Sequence, residues 1–181
     1  MSDPVSAMNT HDNVPAEKKI SELRKLIDGI NVAMLTTRDA SGRLIARPMA
    51  TQSHEEAVDL WFMTSSETHK VEEIDNDSDV NVSYMNGSKE WISISGTARL
   101  NTDHARIREL YKPDWKAWFQ DEGGDRNGGP DDPRIVLIEI TAYHVTYFKV
   151  NEPRPFVLFE IARAALTKST PKVGAIRHLD P

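Results

Sequence analysis

A mainly β domain, an antiparallel barrel of six strands with flanking helices, is the fold this sequence predicts. Three observations predict it. Six segments rich in β-branched and aromatic residues have strand length, turn residues join most of them at hairpin spacing, and few helical patterns intervene. The 181 residues suffice for one domain with a sizeable core, with some to spare at both ends.

Each element has its own signal. Met1 to Val14 is polar and unpatterned, which reads as a mobile tail (1–14) ahead of the domain proper (15–150). From Pro15 to Asp28, Ile20, Leu23, Leu26 and Ile27 recur at helical spacing, with Pro15 suited to the start and Gly29 to the stop. Val32 to Thr37 and Arg43 to about Gln52 form a hairpin around the turn Asp39-Ala-Ser-Gly42. After the polar break Ser53-His-Glu-Glu56, the strand Val58 to Thr64 runs straight into a short helix marked by Val71 and Ile74. Val80, Val82 and Tyr84 alternate, Asn86-Gly87 signals a type I′ hairpin, and Trp91 to Leu100 alternates again.

Asp103 can cap a helix carrying Ile107, Leu110 and Tyr111, which Pro113 should interrupt. Trp115, Trp118 and Phe119 continue as an aromatic stripe, which suits a core face or a ligand platform. Gln120 to Pro133 is a Gly-, Asp- and Pro-rich loop of functional length, but no Gly-Lys-Ser/Thr closes it as a P-loop. Arg134 to Lys149 is the last strand, apolar enough to be buried on both faces. A C-terminal helix and tail (151–181) follow, with a helix around Phe156 to Leu166 and a tail whose Val173 and Ile176 suit docking on a partner surface.

A net charge of -6 without a Lys/Arg cluster argues against a nucleic-acid partner. The absence of cysteine excludes disulfides, thiolate nucleophiles and Cys-based metal sites. No apolar run has signal-peptide or bilayer-spanning length, so a cytoplasmic protein acting on something small, with no membrane contact, is expected. Asn81-Val-Ser83 and Asn86-Gly-Ser88 then read as chance matches to the glycosylation pattern. The six histidines show no metal-ligand spacing, His54 beside Glu55 and Glu56 fits a solvated loop, and no metal is expected. No Gly-x-Ser-x-Gly elbow or distinct carboxylate pair supports hydrolytic chemistry, and no catalytic residue is assigned.

Two places do point to chemistry. At the strand-to-helix join, Thr64, Ser65, Ser66 and Thr68 sit where helix caps belong, with His69 and Lys70 in the first turn. Free N–H groups, hydroxyls and an ammonium there would suit a phosphate, and a solvated helix start would carry the same residues. In the second strand, Pro48 of Arg47-Pro-Met49 cannot donate to a ladder, which marks an edge or a backbone turned toward something else. Arg47 would be a second cation for an anionic site, or an ordinary surface arginine.

The order of these pieces resembles the general stress protein branch of the pyridoxamine 5′-phosphate oxidase-like split-barrel flavoproteins. The resemblance runs from about Ala16 to Lys149. It is carried by Arg47-Pro-Met49, Thr64-Ser-x-x-Thr-His-Lys70, Trp91-Ile-Ser-Ile-Ser-Gly-Thr-Ala98, the Trp115-x-x-Trp-Phe119 stripe and the Asp131-Asp-Pro133 loop. It implies a split β-barrel homodimer with two FMN sites at the interface, FAD being an alternative cofactor. By this match Arg47, Pro48 and Met49 lie along the flavin ring, and Gln52 replaces a cofactor-contacting Lys. Thr64 and Ser65 stand beside the ring, and Thr68, His69 and Lys70 hold the phosphate. Trp91 would reach the cofactor from the other subunit, with Trp118 and Phe119 covering the ring across the interface. The oxidase proper grips its substrate through a C-terminal Arg and His segment, which Arg154-Pro155 and Arg177-His178 do not match, so vitamin B6 oxidation is not expected. The functional expectation is an FMN-dependent oxidoreductase with a small-molecule electron donor or acceptor. The alternatives are a flavin sensor without turnover, an oxidase with unusual substrate contacts, and a scaffold without ligand.

Overall fold

The structure, a computed structural model, describes the chain apart from residues 1, 2, 4–6, 8, 12, 53–59, 151–153, 168 and 181 and the side chains of 154 and 155. Its longest strand organises the sheet. β6 (Ile135–Val150) buries Ile135, Val136, Leu137, Ile138 and Ile140 in its first half, as expected of a strand covered on both faces, whereas its second half alternates. Such length gives β6 two neighbours on one edge. β3 (Leu60–Ser65) lies beside the first half and β7 (Gly174–Leu179) beside the second, while β5 (Trp91–Asn101) runs along the other edge. The sheet continues from β5 through β4 (Asp79–Met85) and β1 (Val32–Arg38) to β2 (Leu44–Ala50), every pair antiparallel.

The β5–β6 ladder shifts register between Ser95 and Gly96. A Cβ on Gly96 would lie 2.6 Å from the Thr141 carbonyl oxygen and 2.8 Å from Ile140 Cγ2, so only glycine allows this close approach.

Three sequence expectations need correction. The sheet has seven strands and is not closed: its hydrogen-bonded path ends at β2 and β3. Pro48 sits on the edge strand β2, where it has no N–H to offer a further strand, and the split form implied by the resemblance is the one observed. The seventh strand escapes sequence reading because its inward positions are Ala175, Arg177 and Leu179 and its half-buried ones include Ile176, so hydrophobicity does not alternate. Finally, the β4–β5 turn is not type I′. Asn86 Oδ1 accepts the amides of Ser88 and Glu90 and widens the turn, and Lys89, not Gly87, takes the positive φ.

Helices cover the sheet. α1 (Ala16–Asp28) sends Leu23 and Ile27 into the main core with Leu35, Phe62, Val82, Ile94 and Val145, each large apolar side chain contributing about 1.5–3 kcal/mol. Arg177, buried on β7, pairs with Glu22 of α1 at 2.9 Å and donates to the His11 carbonyl at 2.8 Å. Burial pushes the Glu22 carboxyl up, but Lys149, Arg177 and the Tyr147 hydroxyl outweigh it and hold the carboxyl below its usual value. Within the stretch expected as an N-terminal tail, Asn9 is buried and Thr10 bridges Ile176 of β7. The expected break at Ser53 to Glu56, with His54, and the first residues of the third strand lie outside the described residues.

A second core forms on the outer side of β3 and β6. Trp61, Ile135 and Leu137 meet Ile107 of α3 (His104–Leu110) and Trp115 and Phe119, which belong to a 3-10 helix (Pro113–Trp118) and its end. Asp103 caps α3 by accepting the Ala105 amide at 2.9 Å. Trp115 packs edge-on against Trp61 and Tyr111, at 6.0 and 5.6 Å between ring centres. The aromatic stripe is thus divided: Trp115 and Phe119 are buried, and Trp118 is 77 % exposed. The last helix, α4 (Arg154–Thr167), leaves Phe156, Leu158, Phe159 and Leu166 exposed.

Candidate functional site

The two sequence features that pointed to chemistry converge on one cleft. β2 supplies Arg47, Pro48 and Met49, the end of β3 supplies Met63, Thr64 and Ser65, and α2 (His69–Asn76) begins directly beyond them. The cleft has a volume of about 360 Å³, within the ~300–1,000 Å³ usual for small-molecule sites. One end is polar and the other aromatic. Thr64, Thr68, Lys70 and Arg47 form the first, and Trp115, Trp118 and Phe119 the second, with Met49 and Met63 also lining the cleft.

The polar end is built around a lysine. Lys70 Nζ donates to Thr64 Oγ1 at 2.9 Å, and Thr64 Oγ1 lies 3.4 Å from Thr68 Oγ1. Thr68 occupies the cap position in extended conformation, yet its hydroxyl donates to the Ser65 carbonyl at 2.8 Å and does not cap α2. The first-turn amides are thereby left without a side-chain cap, and they carry the partial positive charge of a helix start.

Arg47 adds a second cation. Its guanidinium donates to Glu73 Oε2 at 2.5 Å and to Thr37 Oγ1 at 2.6 Å, and Thr37 in turn donates to Glu73. Thr37 and Glu73 are buried, so one carboxylate balances one of two neighbouring cations. Burial, and then the Arg47 charge, push the Lys70 ammonium below its ordinary value, and Glu73 only partly offsets them. A half-buried ammonium in that position gains from an anion, because the anion restores the favourable field that burial removed.

The structure thus brings Arg47, Pro48, Met49, Gln52, Thr64, Ser65, Thr68, Lys70, Trp118 and Phe119 to one cleft. It does not bring His69, and Trp91 was expected there only from the other subunit. His69 is 96 % exposed beside Glu72, since residues 69 and 70 project about 100° apart on a helix and only one can face the cleft. Trp91 lines a separate hollow on the sheet with Val32, Met34, Tyr84 and Met85. Gln52, expected in place of a lysine, accepts from Lys112 Nζ at 2.9 Å, so an ammonium from the end of α3 stands beside it.

Sequence reasoning missed Thr37 and Glu73, the partners of Arg47, and Asp114 on the cleft wall, and it named Trp115 in the aromatic stripe without assigning it to the site. It also missed what the loop after Phe119 does. Asp132 accepts the Gly128 amide and the Arg134 amide and guanidinium, Arg134 also donates to the Gln120 carbonyl and lies over the Phe119 ring, and the Arg134 carbonyl accepts the Ser66 amide. Arg126 then ties Glu122 to Glu67 at 2.6 and 2.8 Å. The loop holds the aromatic wall and the β3–α2 turn in one frame. The Asp132-Pro-Arg134 spacing, an acid and a base either side of a proline, was the available signal.

Comparisons with known proteins show what the chain is similar to. The family model for pyridoxamine 5′-phosphate oxidase like proteins matches residues 18–172. Protein bli-3 of Neurospora crassa is 33% identical over 181 residues, covering 98% of this chain and 87% of its own length. A solved structure from Jannaschia sp. CCS1, named for general stress protein 26, superposes with a TM-score of 0.69 at 23% identity, over 91% of this chain and 99% of its own. The general stress FMN/FAD binding protein of Xanthomonas citri is 26% identical with a TM-score of 0.60, over 76% of this chain and 92% of its own. The chain therefore belongs to the pyridoxamine 5′-phosphate oxidase-like family, in its general stress protein branch.

Proposed function

We propose that the chain is an FMN-binding general stress protein acting as a flavin-dependent oxidoreductase. The observation that carries the proposal is a single cleft with two cations and two threonine hydroxyls at one end and three aromatic residues at the other. The residues fit the group: Lys70, Thr68 and the first turn of α2 suit a phosphate monoester, and Met49, Trp115 and Phe119 suit a flat aromatic ring. A flavin bound there would supply two-electron transfer, for which the protein need provide orientation and exclusion of water. The Thr64 hydroxyl, held by Lys70, would mark the passage from ring to phosphate.

Two further parts of the proposal rest on surface features. Val32, Met34 and Met85 are exposed around the hollow that Trp91 lines, and a second copy covering this apolar face would form the homodimer that the resemblance implies. Arg177 is engaged with Glu22 and the His11 carbonyl and lines none of the cleft, which favours a substrate other than a vitamin B6 phosphate. Among the described residues no helix is long and apolar enough to cross a membrane.

The test is a fluorescence titration of the purified chain with FMN, riboflavin and pyridoxal phosphate, followed by steady-state assays with nicotinamide donors. Tight FMN, weaker riboflavin and donor-dependent flavin reduction are expected. FMN binding no tighter than riboflavin would remove the phosphate site from the proposal, and binding without reduction would reduce the protein to a flavin carrier.

A further inference from the structure

Positive charge stands at both ends of the flavin cleft, and the two charges meet different parts of a ligand. From Arg47 at the polar end the chain follows the cleft through Pro48, Met49 and Ala50 to Gln52, roughly 15 Å further for five extended residues. There Lys112 Nζ donates to Gln52 Oε1 at 2.9 Å. A ligand whose phosphate sits at Lys70 has its ring, and not its phosphate, beside this pair.

Both residues are anchored from below. The Lys112 carbonyl accepts the Trp115 amide at 3.0 Å, which ties the lysine to the aromatic wall, and the neighbouring Tyr111 donates its hydroxyl to the Gly128 carbonyl at 2.7 Å. On the facing side the Thr51 amide donates to the Asn31 carbonyl at 3.0 Å, and Gln52 Nε2 donates to the Ala50 carbonyl at 3.3 Å. The bond from Lys112 to Gln52 therefore joins the two walls of the cleft and holds an ammonium at its ring end. Asp114 lines the same end, so the net field there is smaller than that of a lone cation.

A flavin ring that takes a hydride from a nicotinamide donor gains two electrons and one proton and carries one negative charge, while the donor leaves as the oxidised nicotinamide cation. An ammonium at the ring end stabilises that negative charge and does little for the neutral oxidised ring. We propose that Lys112, held at the ring end by Gln52, raises the reduction potential of the bound flavin and so favours hydride uptake. The inference rests on the flavin reading of the cleft. It adds to that reading a residue that sets the electron affinity of the ring.

The test is made on the FMN-loaded full chain and its Lys112→Met and Lys112→Arg variants, with two equilibrium readouts. One is the reduction potential against a reference dye. The other is titration with sulfite, whose sulfur lone pair bonds to the ring and leaves it negatively charged. Lys112→Met should bind sulfite roughly 3–10-fold more weakly and show a correspondingly lower potential, about 30 mV for tenfold in a two-electron couple. Lys112→Arg returns the charge and should stay within about twofold of the unaltered chain, and FMN affinity should change less than about threefold in both. Unchanged readouts in FMN-loaded Lys112→Met would leave the ammonium in solvent, and equal losses in both variants would assign the effect to shape. Either result overturns the inference and leaves the flavin reading standing. Loss of FMN binding by Lys112→Met would make Lys112 an anchor of the cofactor and overturn the inference as well. No FMN binding by the unaltered chain would sink the flavin reading, and the inference with it.

Discussion

Among the described residues two arginines lie beside a buried carboxylate, and they are used in opposite ways. Arg134 is fully engaged: its side chain and that of Asp132 are 5 % and 0 % exposed and share several hydrogen bonds, and Arg134 also pairs with Glu122 at 3.1 Å and lies over Phe119. Hydrogen bonds from Arg134 hold the Asp132 carboxyl well below the usual range, and burial only partly opposes them. Arg47 and Glu73 would match as well, except that Lys70 stands beside them and is pushed down by burial and by Arg47. In the first cluster Asp132, Glu122 and Glu67 meet every cation, whereas the other is left with a cation to spare. A structural ion pair satisfies its own charges, and a binding site keeps one unsatisfied for its ligand.

If that distinction holds, the largest effect belongs to the closed cluster. Asp132→Ala orphans a buried guanidinium and releases the Gly128 amide, and thermal denaturation should show Tm lowered by roughly 10 °C. A change of only a degree or two would mean that the loop after Phe119 is not the frame of the site.

Lys70→Ala should do the reverse, with little cost to the fold and a large cost to the ligand. FMN should weaken roughly 10–100-fold because a charge-assisted bond to phosphate is lost, while riboflavin changes less than about twofold. Equal weakening of both ligands in parallel titrations would show that Lys70 serves the ring and not the phosphate.

These contrasts also explain what could be read from the residues alone. Local signals carried far: the helix from Ala16, the hairpin around residues 39–42 and the strand-to-helix join at Thr64 all follow from patterning within a few residues. The resemblance, resting on the order of such pieces, gathered most of the cleft. What stayed hidden depended on contacts distant in sequence. Glu73 is 26 residues from Arg47, and nothing in its surroundings marks it as the buried partner. β7 was missed because Arg177 takes an inward position, tolerable only once Glu22 has been brought to meet it. An antiparallel barrel was expected from hairpins, and hairpins say nothing about whether the first and last strands meet.

The spare cation should also show in pH dependence. The unfolded Lys70 titrates near its usual 10.5 and the folded one lower, so in the window between them the unfolded chain holds more protons. Apo-protein stability should therefore rise slightly as pH climbs through that window, a gain absent below the folded value. FMN affinity should fall over the same range, because the ammonium that meets the phosphate is being lost. Denaturant midpoints and FMN titrations at several alkaline pH values would give slopes of opposite sign. Slopes of the same sign would mean that Lys70 is already compensated like Arg134, and the contrast between the two clusters would fail.

The smallest effect is expected at His69, one residue before Lys70. Its side chain is almost wholly exposed and its nearest charge is Glu72 at 3.7 Å, an exposed pair of the kind that water screens heavily. His69→Ala should therefore change FMN affinity less than about twofold, a difference that a titration can set against the Lys70 result. The resemblance assigned both residues to the phosphate, so the two substitutions separate sequence position from geometry. If His69→Ala weakened FMN as much as Lys70→Ala, its ring would have to turn inward when the ligand arrives. The open cluster would then recruit a third group from the surface, and its lack of compensation in the free protein would understate the charge it can assemble.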